Sequence, residues 1–113
     1  MPVHQALVED ANVPLLDRFQ IITEHDETGL IYDSQYLNIE RTDDTLLIQI
    51  SFNQGRTTEI KKALFARTVE LLHEIAGIRK EDVFIGLLEV PPENWSFGNG
   101  KKPDCARDFN MVV

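Results

Sequence analysis

Between residues 45 and 90 the spacing of apolar positions changes twice, and each change predicts an element boundary. Residues 45–52, Thr-Leu-Leu-Ile-Gln-Ile-Ser-Phe, form a short apolar run rich in β-branched side chains, which predicts a strand. Asn53, Gln54 and Gly55 carry a turn signal. From Thr57 the period lengthens: Ile60, Leu64, Leu71, Leu72 and Ile75 recur at three- and four-residue spacings, the apolar stripe of a helix. Thr57 is suited to cap that helix, and Glu59 adds negative charge in its first turn. Gly77 stops it. Residues 83–90, Val-Phe-Ile-Gly-Leu-Leu-Glu-Val, read as a second buried strand. Strand, long helix and strand make one βαβ unit, with its two strands parallel and a right-handed crossover.

The flanking segments are less regular. Residues 18–24 alternate as a strand would, with Phe19, Ile21 and Thr23 on one face and Gln20 and Ile22 on the other. A polar turn follows at 25–29. Residues 30–44 are a long excursion holding Tyr32, Tyr36 and Leu37, of the kind that packs through its aromatics or borders a site. The start of the chain fits two patterns. Val3, Leu7, Val8 and Ala11 have helical spacing, while residues 2–8 also fit a poor strand; Pro14 closes the segment either way. Pro91 and Pro92 end the sheet, and residues 94–100 form an aromatic, glycine-rich loop. The tail, 101–113, ends in an apolar stretch from Phe109, expected to add a short edge strand or an intersubunit clasp. No internal repeat or low-complexity tract interrupts this order.

Composition narrows the possibilities. A chain of 113 residues is expected to form one small domain with a single modest core, and 42% hydrophobic with 27% charged residues is ordinary for a folded protein. The net charge of −8 disfavours binding to a phosphate backbone, so no nucleic-acid partner is expected. An anionic small substrate would need a local basic spot against that field. Cys105 is the only cysteine, so no internal disulfide can form and a reducing compartment fits. No apolar run is long enough to span a membrane, and no signal-peptide pattern is present. The expected location is the cytoplasm.

No Walker loop, dinucleotide fingerprint or zinc spacing occurs. His4, His25 and His73 are scattered, and the polar cluster of Glu24, His25, Asp26 and Glu27 reads as a hydrated turn rather than a metal site. Arg56 stands out by position. It lies where the predicted strand hands over to the predicted helix, beside unpaired helix N–H groups, a good place to hold an anion. An ordinary solvated arginine is the alternative.

The combination is more specific than its parts. DRFQIITEHD, a tyrosine-bearing loop, RTDDTLLIQISFNQGRT, EIKKALF, EDVFIGLLEV and ENWSFGNG follow one another in an order that resembles the tautomerase superfamily, and within it the malonate-semialdehyde-decarboxylase-like members. The resemblance covers roughly residues 4–100. It implies an α+β, ferredoxin-like β-α-β-β-α-β fold with helices on one face of the sheet, in chains that assemble as trimers or hexamers. It also implies keto–enol tautomerisation, decarboxylation or hydration of a small anionic oxo-carboxylate, without metal or organic cofactor. The working group in such proteins is an amino-terminal proline, freed by removal of the initiator methionine. Such an amine titrates near ~8 in water, and apolar burial or nearby cations bring it toward neutrality.

By the resemblance, Pro2 is the catalytic amine, Asp17 in DRFQ is the aspartate that orients water or the carbonyl, and Arg56 in GRT binds the substrate carboxylate. A second arginine of the family pattern, two residues earlier, is Gln54 here, and an amide cannot supply the missing charge. Trp95 and Phe97 match the aromatic loop that lines the site. The register also implies that residues 1–14 are either the end of a shortened first helix or an atypical first strand. In the family that strand lies between the second strand and the one at 45–52, so its loss would leave a gap for residues 18–24 or a neighbouring subunit to fill.

Overall fold

The computed structural model of the protein describes residues 2–11, 13, 15, 19–101 and 110–112. Asp17 and Cys105 lie outside these residues. Five main elements follow in order: helix α1 (Pro2–Asp10), strand β1 (Leu46–Asn53), helix α2 (Thr58–Ala76), strand β2 (Val83–Val90) and strand β3 (Asn110–Val112). The sheet order is β2-β1-β3; β1 runs parallel to β2, with Leu46 opposite Val83 and Asn53 opposite Val90, and antiparallel to β3. The architecture is α+β, with the parallel strand–helix–strand unit that the sequence predicts.

The central unit forms for local reasons. Thr57 caps α2, its hydroxyl oxygen accepting the N–H of Ile60 at 3.2 Å, and Gly77 closes the helix at φ 68°, a conformation that costs most other residues about 1 kcal/mol or more. Side chains alternate along β1. Ile48, Ile50 and Phe52 face the helices and are buried, joining Val3, Ala6 and Leu7 of α1 and Leu64, Leu71 and Leu72 of α2 in one core. Arg67 of α2 pairs with Glu9 of α1 at 2.8 Å and with Glu70 at 3.1 Å, which ties the two helices at their exposed seam.

Much of the other sheet face is exposed among the described residues. Leu47, Phe84 and Leu88 project from it at 57%, 41% and 50% exposure. Leu47 and Phe84 are also opposite one another in the register and form one apolar pair, with Leu88 further along the same face beyond Gly86.

Two expectations for the flanks resolve differently. The first segment is helical, not a strand: Pro2 is its first residue, where a fixed φ and a missing N–H cost nothing. The strand expected at 18–24 is not formed over its described part, 19–24, where Gln20 alone makes a bridge and Phe19, Ile21 and Ile22 are exposed. An alternating pattern makes a strand only when an edge is available to pair with. β3, the edge strand anticipated for the tail, takes the free edge of β1 at Ile50–Phe52. In the 30–44 excursion, the Tyr32 hydroxyl donates to the carbonyl of Thr42 at 2.6 Å, whereas Tyr36 and Leu37 remain exposed.

One core position conflicts with its surroundings. Thr68 on α2 is fully buried, and its hydroxyl has no hydrogen-bond partner. A buried hydroxyl without a partner costs on the order of 1 kcal/mol relative to a methyl of the same shape. Thr68→Val is therefore expected to stabilise the protein by about 1 kcal/mol, raising the thermal midpoint by about 4 °C. A scanning calorimetry comparison of the two proteins checks this.

Candidate functional site

The carboxyl ends of β1 and β2 meet the amino end of α2 at one corner. β1 ends at Asn53, and the backbone N–H of Gln54 continues its pairing by donating to Val90 O at 3.2 Å. Gly55 then turns the chain at φ 115°, a region closed to residues with a side chain, and delivers Arg56 just ahead of the Thr57 cap. The corner is thus built from a strand end, a glycine turn and a helix start, each of them readable in the sequence.

Arg56 is half-buried, and several described neighbours hold its guanidinium. Its guanidinium lies 4.3 Å from the centroid of the Phe52 ring. Nε and Nη2 donate to the carbonyl of Ala11 at 3.3 and 3.0 Å, and Nη1 donates to the carbonyl of Asn53 at 3.0 Å. Ala11 follows the last turn of α1, so the arginine links the end of that helix to the end of the central strand. Among the described residues, the Nε–Nη2 edge, the one that grips a carboxylate side-on, donates to the neutral carbonyl oxygen of Ala11.

The aromatic loop closes the corner from the opposite side. A 3-10 turn at Pro92–Asn94 leads to Trp95, which stacks on Phe97 with ring centroids 5.1 Å apart. The indole Nε1–H of Trp95 donates to Oδ1 of Asn53 at 2.9 Å. Because Phe52 and Asn53 are successive strand residues, their side chains point to opposite sheet faces. Arg56, over Phe52, therefore sits on the helix side, and Trp95, bonded to Asn53, sits on the opposite side. A ligand that touched both would lie across the end of β1.

Of the residues singled out from the sequence, Gln54, Arg56, Trp95 and Phe97 share this corner, with Gln54 exposed. Pro2 does not join them within one chain. It begins α1, while Arg56 contacts the residue after that helix ends; at ~1.5 Å rise per residue the two ends are roughly 13 Å apart along the axis. Asn53 was legible only as part of a turn, yet it touches both Trp95 and Arg56. The available signal was chemical: a tryptophan in a nearby loop needs an acceptor for its N–H once it is covered. Among the described residues no group of three or more His, Cys, Asp or Glu could hold a metal ion, and no helix is long and apolar enough to cross a membrane.

Comparison with known proteins bears on this corner. The family model of the tautomerase enzymes (Tautomerase_2) matches residues 17–98. A probable tautomerase of Bacillus subtilis (strain 168), YusQ, is 46% identical over 99 residues, which is 88% of this chain and 78% of that protein. A second probable tautomerase of the same organism, YrdN, is 31% identical over 98 residues, covering 87% of this chain and 75% of that protein. Among solved structures, an FG41 malonate semialdehyde decarboxylase inhibited by 3-bromopropiolate superposes with a TM-score of 0.81 at 41% identity, over 88% of this chain and 76% of that one.

Proposed function

The chain belongs to the tautomerase enzyme family, and on that premise we propose that it promotes keto–enol tautomerisation, or a related decarboxylation or hydration, of a small oxo-carboxylate at the β1–α2 corner. The observation that carries this reading is Arg56, a guanidinium fixed at a strand-to-helix junction, with the Trp95–Phe97 stack on the other side of the end of β1. A substrate carboxylate would replace the carbonyl of Ala11 on the Nε–Nη2 edge, and a charged acceptor binds a guanidinium roughly twice as strongly as a neutral one. Gln54 would offer an uncharged amide to the substrate, consistent with one carboxylate rather than two against a net charge of −8. Asp17 would orient water or the carbonyl. The secondary amine of Pro2, exposed by loss of Met1, would carry the proton between carbon and oxygen. No metal or organic cofactor is called for, and the lone Cys105 suits a cytoplasmic setting.

Since Pro2 and Arg56 head opposite ends of α1, the amine serving a given Arg56 would come from a neighbouring copy. The exposed Leu47, Phe84 and Leu88 support a homo-oligomer, with a trimer expected, in which a second copy covers this part of the sheet face. The same separation of Pro2 from Arg56 favours a second reading, in which this polypeptide is a non-catalytic subunit of such an assembly.

Phenylpyruvate ketonisation, followed by loss of the enol absorbance, separates the two. Arg56→Ala is expected to weaken apparent affinity about tenfold, since a charge-assisted pair is lost. Pro2→Ala is expected to reduce kcat to the background rate while leaving carboxylate binding in place. Full turnover by Pro2→Ala would remove the proline from the reaction, and retention of Met1 in the intact mass would do the same. Absence of turnover in the unaltered protein would leave the subunit reading.

A further inference from the structure

We infer that Asn53 is a positioning residue that couples the two walls of the corner, holding Trp95 through its side chain and Arg56 through its main chain. The inference rests on the oxo-carboxylate reading for what the corner binds. Asn53 belongs to the sheet face opposite the helices, where Leu47 and Gln49 are exposed, yet it is only 5% exposed itself. A buried amide persists where its polar atoms are satisfied. Here Oδ1 accepts the Trp95 indole N–H at 2.9 Å, and the main-chain oxygen of the same residue accepts Arg56 Nη1 at 3.0 Å. The ring stack then passes the orientation of Trp95 to Phe97. The two holds leave Asn53 through different atoms. A side-chain replacement releases Trp95 and leaves the carbonyl under Arg56, so the walls can be uncoupled one at a time.

The choice of an amide has a physical reason. A leucine would fill a similar volume but accept nothing. An aspartate would accept the indole N–H, but would add a negative charge to the corner that an anionic substrate has to approach. Leucine therefore removes the acceptor, while aspartate keeps it and changes the charge and the N–H donors. Neither the length of the turn nor the packing of the helix face enters, because Phe52 alone presents the ring beneath Arg56.

Trp95 is the only tryptophan in the chain, so intrinsic emission reports on it directly. Asn53→Leu is expected to shift that emission to the red and to raise KM for phenylpyruvate about tenfold, with kcat changed less than about twofold. Asn53→Asp is expected to restore the native emission while KM stays high. Trp95→Phe, which keeps a ring but loses the N–H, is expected to match the KM of Asn53→Leu, and the double variant to be no worse than either single one. Native emission and native KM in Asn53→Leu would overturn the inference, as would additive effects in the double variant. Should Asn53→Leu fail to fold by circular dichroism, Trp95→Phe decides: an unchanged KM overturns the coupling and a raised one supports it. Absence of turnover in the unaltered protein overturns the substrate reading instead, and the emission of Asn53→Leu against that of Asn53→Asp then decides the coupling without it.

Discussion

Replacing Phe52 by alanine is expected to remove about 3–5 kcal/mol of stability, the range for deleting a fully buried aromatic ring. Phe52 is completely buried in the middle strand of the sheet, paired with Glu89 on one side and Asn110 on the other. It is the last of the helix-facing residues of β1, after Leu46, Ile48 and Ile50. Its ring also carries the Arg56 guanidinium, an attraction of about 1 kcal/mol when partly covered. Domains of this size hold roughly 5–15 kcal/mol in all, so this single change consumes a large part of the reserve. Urea unfolding is the measurement: the midpoint should fall with little change in slope. Phe52→Leu keeps most of the volume and should cost about 1–1.5 kcal/mol. Comparable losses from the two variants would mean that the ring is not what fills the site.

The features legible in the sequence were those set by neighbours along the chain. The β-branched run of β1, the Thr57 cap, the apolar stripe of α2 and the Gly77 stop are each decided within a few residues; all are observed except the end of the stripe, where Ile75 is exposed and the buried run stops at Leu72. The position of Arg56 came from the same local logic, since a short turn between a strand and a helix leaves the next residue little choice of place. The segment at 18–24 shows the limit. Its alternation of Phe19, Ile21 and Thr23 is a genuine strand pattern, but pairing is a property of the partner, and β3 occupies the edge that would have served. The contact between Trp95 and Asn53 spans 42 positions and depends on a loop folding back over the sheet face opposite the helices, which no window of sequence can report. Pro2 was ambiguous for a third reason: a proline after the first residue suits an exposed catalytic amine and also suits the first turn of a helix. α1 satisfies the second requirement, and the kinetic behaviour of Pro2→Ala bears on the first.

The corner and the core are aligned by a contact at the opposite end of the sheet, and acid should reveal it. Asp82 is 1% exposed and closes the 3-10 turn Lys80–Asp82 that leads into β2. Its carboxylate accepts the backbone N–H of Thr42 at 2.6 Å, the Thr42 hydroxyl at 2.7 Å and the Thr45 hydroxyl at 3.5 Å, with Arg79 Nη1 at 3.7 Å. It therefore pins the approach to β1 against the start of β2, where the parallel register begins with Leu46 opposite Val83. Burial alone would raise its pKa, but the Thr42 N–H and hydroxyl, the Arg79 charge and the Thr45 hydroxyl together hold it below the ordinary carboxylate range. Removing the carboxylate leaves those donors without their acceptor, so Asp82→Ala should cost about 3 kcal/mol at neutral pH. The sign with pH comes from the lowered value. Stability from the ionised group is fully present above the unfolded pKa of about 3.9 and is lost as pH falls through the lower folded value. The difference in urea midpoint between the unaltered protein and Asp82→Asn should therefore be wide at neutral pH and narrow progressively in acid below about pH 4. A difference that held constant down to about pH 2 would mean that the register of β1 against β2 does not depend on the charge of Asp82.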